Sequence, residues 1–242
     1  MEKASGRITT KTLVMTSLLT GLSIVFTRFF YFMVPLGGMP ALRLSFGESP
    51  IVVAGILFGP LVGGLSGLAA DIVGVIINPQ GSFFPGFTLS SILWGVIPGL
   101  LRVIFKKEDS KLDYSKLNSI VLFILLLGIM KVFVSSGTLK NISTPVVITF
   151  SVVLIALVFL PMFLKGKREV DNVFSYEKVV FIISITYIII SLGLNTLWLS
   201  IMFDKGFLVL FPGRLLSSFA SIPIYSIIIS IFLKYSKNFM TI

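Results

Sequence analysis

Residues 144–165 read TPVVITFSVVLIALVFLPMFLK, a run of 22 residues whose one charge is at the last position. Apolar runs of this kind recur along the chain. Several approach or exceed the roughly 18–20 residues that cross a ~30 Å hydrocarbon core. Charged residues are 12% of the sequence and mean hydropathy is +1.03, whereas about a quarter of a soluble domain is charged. The runs are continuous rather than alternating, which selects helices over barrel strands. The expectation is an all-α, polytopic integral membrane protein.

Helices are expected at about 10–33, 48–59, 61–77, 84–105, 118–135, 145–164, 178–202 and 210–235. The second and third are separated only by Gly59 and Pro60, a tight turn signal. The second is short for a full span, so it is tilted or partly wrapped by protein. Lys3, Arg7 and Lys11 precede the first apolar run in the manner of a signal peptide. That run is too long and lacks a small-residue cleavage site, so it reads as a retained first helix.

No cysteine or histidine occurs, which removes thiolate zinc sites, cysteine nucleophiles and histidine bases. No metal site, cofactor or enzymatic activity is expected. The formal net charge is +10. One side of the membrane would carry Lys3, Arg7, Lys11, Arg102, Lys106, Lys107, Lys111, Lys116, Lys165, Lys167, Arg168, Lys178, Lys234 and Lys237, 14 of the 20 cations. The other would carry Arg28, Arg43, Lys140, Lys205 and Arg214, with Lys131 inside a helix. The positive-inside rule then makes both termini cytoplasmic. The basic excess is explained by orientation, and no nucleic-acid partner is expected.

Three of the five outer cations are arginines near helix ends, which orientation does not require. Residues 59–78, GPLVGGLSGLAADIVGVIIN, add an aspartate within an apolar span. At 100° per residue Gly63, Gly67, Ala70 and Gly74 form a bare face, with Leu61, Leu65, Leu68, Ile72 and Val75 opposite. Small residues let another helix, or a ligand, approach closely, and helix packing is the simpler reason. Packing does not explain Asp71. A carboxylate near mid-membrane costs roughly 2.5–3.5 kcal/mol on insertion scales and normally faces a partner or a cavity. Two readings follow: a ligand contact, or an ion pair with Arg28 or Arg214. Asn78, seven residues on, points nearly the same way.

The next loop, NPQGSFFPG, carries Phe83 and Phe84 at an aqueous edge, suited to an interfacial belt or to a flat ring ligand. Asn195 and Trp198 share a helix face, and Arg214, Ser217, Ser218 and Ser221 form a polar stripe that should line the bundle interior. In the first helix Ser17 and Gly21 form a small-xxx-small pair beside a hydroxyl stripe of Thr16, Thr20, Ser23 and Thr27. No Walker-type phosphate loop and no pair of similar halves is present.

The run LRLSFGESPIVVAGILFGPLVGGLSGLAADIVG, then NPQGSFFPGFTLSSILWG, resembles the substrate-binding S component of energy-coupling factor (ECF) vitamin transporters. NTLWL and FLVLFPGRLL resemble its folate-specific branch best. The resemblance covers about 10–105 and 178–235. It implies a six-helix membrane core that captures a vitamin from outside. Delivery then requires a transmembrane coupling protein and two cytoplasmic ATPases. Ser17 and Gly21 would take the place of the family's Ala-x-x-x-Ala contact with the coupling protein. The 242-residue length exceeds the family's usual size. The excess fits 106–177, read as an inserted transmembrane hairpin that brings the helix count to eight. The expected organisation is thus an N-terminal section of the membrane core over residues 1–105, the insert 106–177 and a C-terminal core section over 178–242, in a bacterial plasma membrane.

On this reading Asp71, Asn78 and Asn195 suit a pterin edge, and Phe83, Phe84 and Trp198 suit stacking. Arg28, Arg43 and Arg214 suit the two glutamate carboxylates of folate, since arginine pairs with carboxylates in bidentate fashion. Three alternatives stay open. The first is an S component for another vitamin, such as pantothenate, thiamine or a queuosine precursor. The second is a self-sufficient secondary transporter or channel. The third, a membrane enzyme, would have only Asp71, Glu48 or Asp204 to work with.

Overall fold

The structure, a computed structural model, describes residues 9–36, 39–107, 113–135, 156 and 175–240. Among them, helix α1 is Thr10–Arg28, α2 Glu48–Phe58, α3 Pro60–Ile77, α4 Pro85–Lys107 and α5 Tyr114–Ser135. Helix α6 (Tyr176–Tyr187) runs through a π-helical turn, Ile188–Leu194, into α7 (Asn195–Phe203), and α8 is Phe207–Met240. Six helical rods are long and apolar enough to span a membrane: Thr10–Arg28, Pro60–Ile77, Pro85–Phe105, Tyr114–Val132, Tyr176–Phe203 and Phe207–Ser236. With the short α2 they make seven rods among the described residues, not the eight expected. The helix expected at 145–164 falls outside the described residues apart from residue 156.

Two local differences separate the structure from the expectation. The first helix ends at Arg28 rather than reaching residue 33, and Tyr31–Leu36 (β1) pairs with Met39–Ser45 (β2) in a two-stranded sheet. The fold is therefore mostly helical rather than purely so. Hydropathy is continuous through FFYFMV and gives no stop signal, while aromatic and β-branched residues accept a strand readily. The second difference is the π turn, which hydropathy does not reveal. Elsewhere the ends carry their own signals. Thr9 caps α1 by accepting the Thr12 N–H at 3.2 Å, and Pro60 opens α3 directly after Gly59, whose φ of 96° no other residue type adopts easily.

The chain divides into two compact units. The first comprises Met1–Tyr31 and Ser45–Leu100. At its centre lies α2, with every residue from Ser49 to Leu57 buried. Its 11 residues extend only about 16 Å, so it serves as a core helix packed by α1 and α3. The bare face of α3 turns inward: Gly63, Gly67, Ala70 and Gly74 are buried, while Leu61, Leu65 and Ile72 are exposed. Gly63 stacks its backbone on Gly55 of α2 and Gly95 of α4, and a Cβ on any of the three would collide with the facing backbone. Close approach of these helices is the reason for the three glycines.

The second unit comprises Phe32–Leu44 and Leu101–Ile242. Here α8 packs along α6 and α5. Its buried stripe of Leu215, Ser218, Phe219, Ile222, Tyr225, Ser226, Ile229 and Leu233 recurs at helical spacing. Tyr225 meets Tyr187 edge to face at 5.2 Å. Phe105, Tyr114 and Phe181 form an aromatic cluster that closes one end of α5 and α6.

Candidate functional site

Among the described residues each unit holds a polar group of side chains that brings together several of the expected site residues. In the first unit this polar centre is built on α1 and α3. Arg28, the last residue of α1, sends its guanidinium across Gly74, where a Cβ would stand 2.6 Å from Nε. The absent side chain lets Nη2 reach Asp71 Oδ1 at 3.3 Å. Both side chains are shielded, at 7% and 13% exposure. Nη2 also donates to the Asp71 carbonyl and Nη1 to the Asn78 carbonyl, each at 3.4 Å. The second carboxylate oxygen, Oδ2, accepts a 2.7 Å hydrogen bond from the Thr88 hydroxyl on α4. Of the two readings open for Asp71, the structure supplies a partner, and it is Arg28.

The α1 backbone is tied to the same centre. The Arg28 carbonyl belongs to the last turn of its helix, where carbonyls lack intrahelical donors. It accepts from Asn78 Nδ2 and from Gln80 Nε2, both at 3.0 Å. Lower on α1 the hydroxyl stripe faces the rest of the unit. Thr20 and Ser66 share a 2.7 Å hydrogen bond, and Ser23 donates to the Gly47 carbonyl at 2.6 Å. Ser17 and Gly21 lie on the exposed side, and a Cβ on Gly21 would meet nothing within 4 Å. In the following loop Phe83 is 58% exposed and Phe84 half-buried, set edge to face with Phe87 at 5.8 Å.

In the second unit the π turn supplies the geometry. Wider π pitch removes the usual i→i−4 partner of a carbonyl, and such turns occur frequently at functional sites. Here the Ser191 carbonyl accepts from the Thr196 hydroxyl at 3.1 Å and from Arg214 Nη1 at 3.4 Å. Arg214, on α8, is 7% exposed, and its neighbour Ser218 reaches the Ser191 hydroxyl at 3.5 Å. Of the expected serine stripe, Ser218 is buried while Ser217 and Ser221 are half-buried. Asn195 and Trp198 are half-buried on α7, just after the turn, and Asn195 Oδ1 is covered with no hydrogen-bond partner. Arg43, on β2, is half-buried in this unit.

The structure thus brings Arg28, Asp71 and Asn78 together in one unit and places Asn195, Trp198 and Arg214 along α7 and α8 in the other. Four contributors carry no signal in the sequence: Gln80, Thr88, Ser191 and Thr196. Gln80 lies two residues past Asn78, in a loop already singled out. The other three are ordinary hydroxyl residues whose role depends on which backbone or carboxylate lies opposite.

Among the described residues no cluster of acidic side chains could hold a metal ion. The model of the family "ECF-type riboflavin transporter, S component" matches residues 7–166. The folate transporter FolT of Clostridium novyi (strain NT) is 27% identical over 208 residues, 86% of this chain and 79% of that one. A stretch of 67 residues is 37% identical to an uncharacterized protein of Mycoplasma pneumoniae, covering only 14% of the latter. Among solved structures, FolT bound with folic acid matches with a TM-score of 0.56 at 21% identity, over 93% of this chain and 97% of that one. That likeness shows the same fold, and the matched family model spans well over half the sequence. The chain is therefore a multi-pass membrane protein belonging to the ECF-type riboflavin transporter S-component family.

Proposed function

We propose that this chain is the substrate-binding subunit of an ATP-driven vitamin importer and that its vitamin is folate. The observation that carries the ligand choice is the 208-residue similarity to a folate transporter, which extends over 86% of the chain. The fold shared with FolT bound to folic acid supports the same reading. Folate combines a flat pterin, an aminobenzoate and a glutamate with two carboxylates. In the second unit Arg43 and Arg214 would pair with the carboxylates and Trp198 would stack on a ring; in the first unit Phe83 and Phe84 are the side chains suited to stacking. The partnerless Asn195 Oδ1 would accept an N–H from the pterin edge. Arg28, Asp71 and Asn78, engaged with one another, serve the site indirectly.

The chain contains no Walker-type phosphate loop, so energy comes from outside it: a transmembrane coupling protein and two cytoplasmic ATPases. The exposed Ser17 and Gly21 face of α1 would seat the coupling protein. Both termini are cytoplasmic on the positive-inside count, in a bacterial plasma membrane.

Riboflavin is the rival ligand, because the matched family model carries that name. The test is mass spectrometry of the small molecule that copurifies with the protein, followed by titration of the emptied protein with folate, riboflavin, thiamine and pantothenate. Saturable binding of folate alone supports the proposal. Tight riboflavin binding with no folate binding would overturn it.

A further inference from the structure

The two carboxylate oxygens of Asp71 are both occupied, one by Arg28 and one by Thr88. The Arg28 carbonyl holds two side-chain amides, those of Asn78 and Gln80. These contacts join α1, α3 and the start of α4, and the only chain between the last two is the segment 78–84 that carries Phe83 and Phe84. We infer that Thr88 and Gln80 are positioning residues, which act through Asp71 and Arg28 to hold this segment in its ligand-receiving conformation.

The chemistry follows from the order of the bonds. Arg28 pairs with Asp71 across Gly74, which fixes the end of α1 against α3. The carbonyl exposed by that helix end then becomes an acceptor for the first residues of the loop. Asn78 donates from one position and Gln80 from two residues later, so the backbone between them cannot swing without giving up a bond. Thr88 fastens the far side, three residues into α4, to the same carboxylate. The loop is therefore pinned at both ends to one ion pair. Phe83 itself is 58% exposed. Its placement depends on the residues either side.

Loss of one such bond is a matter of about 1 kcal/mol. That is too little to unfold the protein but enough to shift a local equilibrium about fivefold to tenfold. The chain has no cysteine, so a single Ser82→Cys carries a spin label with no background. Full-length protein in detergent would be compared with and without Gln80→Ala or Thr88→Val. The expected result is a more mobile label in the ligand-free state of both variants, with little change in thermal midpoint. Folate dissociation should accelerate about fivefold to tenfold while association stays within about twofold. Thr88→Ser, which keeps the hydroxyl, should restore both readouts.

The kinetic arm rests on the folate reading, and the label arm does not. If wild-type protein binds no folate, the functional proposal fails and label mobility alone decides the positioning role. Unchanged label mobility in both variants would overturn it, as would a failure of Thr88→Ser to restore what Thr88→Val loses. Should Thr88→Val fail to fold, Gln80→Ala decides alone, since it removes only a half-buried amide from a loop.

Discussion

The guanidinium of Arg28 lies over Gly74 and meets Asp71 Oδ1 at 3.3 Å, so a glycine on one helix sets the distance between a cation and an anion. Both groups are largely out of water, and charges so placed are retained only with a partner. Removing one partner leaves the other charge buried and uncompensated, a penalty that removing both avoids. Arg28→Met or Asp71→Leu alone is expected to lower stability by about 3–5 kcal/mol, and the double variant by clearly less than the sum. Thermal unfolding of the four proteins in one detergent measures the coupling. Strictly additive losses would show that the pair contributes nothing as a pair.

The contact of Gly63 with Gly55 and Gly95 leaves no room for a side chain. Gly95→Ala should therefore force the α3–α4 backbones apart and destabilise by about 1–3 kcal/mol. Gly21→Ala, made on a face where a Cβ meets nothing within 4 Å, should leave the thermal midpoint unchanged. Equal midpoints for the two variants would contradict the packing argument.

Arg214 is held by a carbonyl that the π turn presents. Arg214→Ala is expected to weaken folate binding by at least about tenfold, since a charge-assisted contact is worth about 1.5–3 kcal/mol. Arg214→Lys should restore little of it, because a lysine lacks the planar fork. Calorimetric titration of the purified variants is the measurement, and full recovery by lysine would argue against a bidentate carboxylate contact.

The exposed Ser17 and Gly21 pair has a different signature. Leucine at either position should leave folate affinity of the isolated chain within about twofold while abolishing assembly with the coupling protein, because bulk prevents close helix approach. Copurification of the complex and uptake into cells read this directly. A fully assembled and active complex with Gly21→Leu would remove α1 as the docking face.

What the sequence determined by itself was set by the solvent. Long uncharged runs can only be satisfied as membrane helices, because a hydrocarbon core offers backbone groups no other partner. The six long rods follow from that, whereas the complete burial of the short α2 came from its packing. Asp71 was conspicuous for the same reason, as a charge among Leu, Gly and Val. The tertiary structure decided its partner. Arg28 is 43 residues away in sequence and the Thr88 hydroxyl 17, and no local pattern separates Arg28 from Arg214 as the mate. The Arg28 carbonyl is likewise met by remote amides, those of Asn78 and Gln80, and the Ser191 carbonyl of the π turn by Thr196 and Arg214. Hydropathy is a property of each residue and can be summed along the chain. Hydrogen bonds between helices need two groups brought within about 3 Å, and only the packing of those helices brings them there.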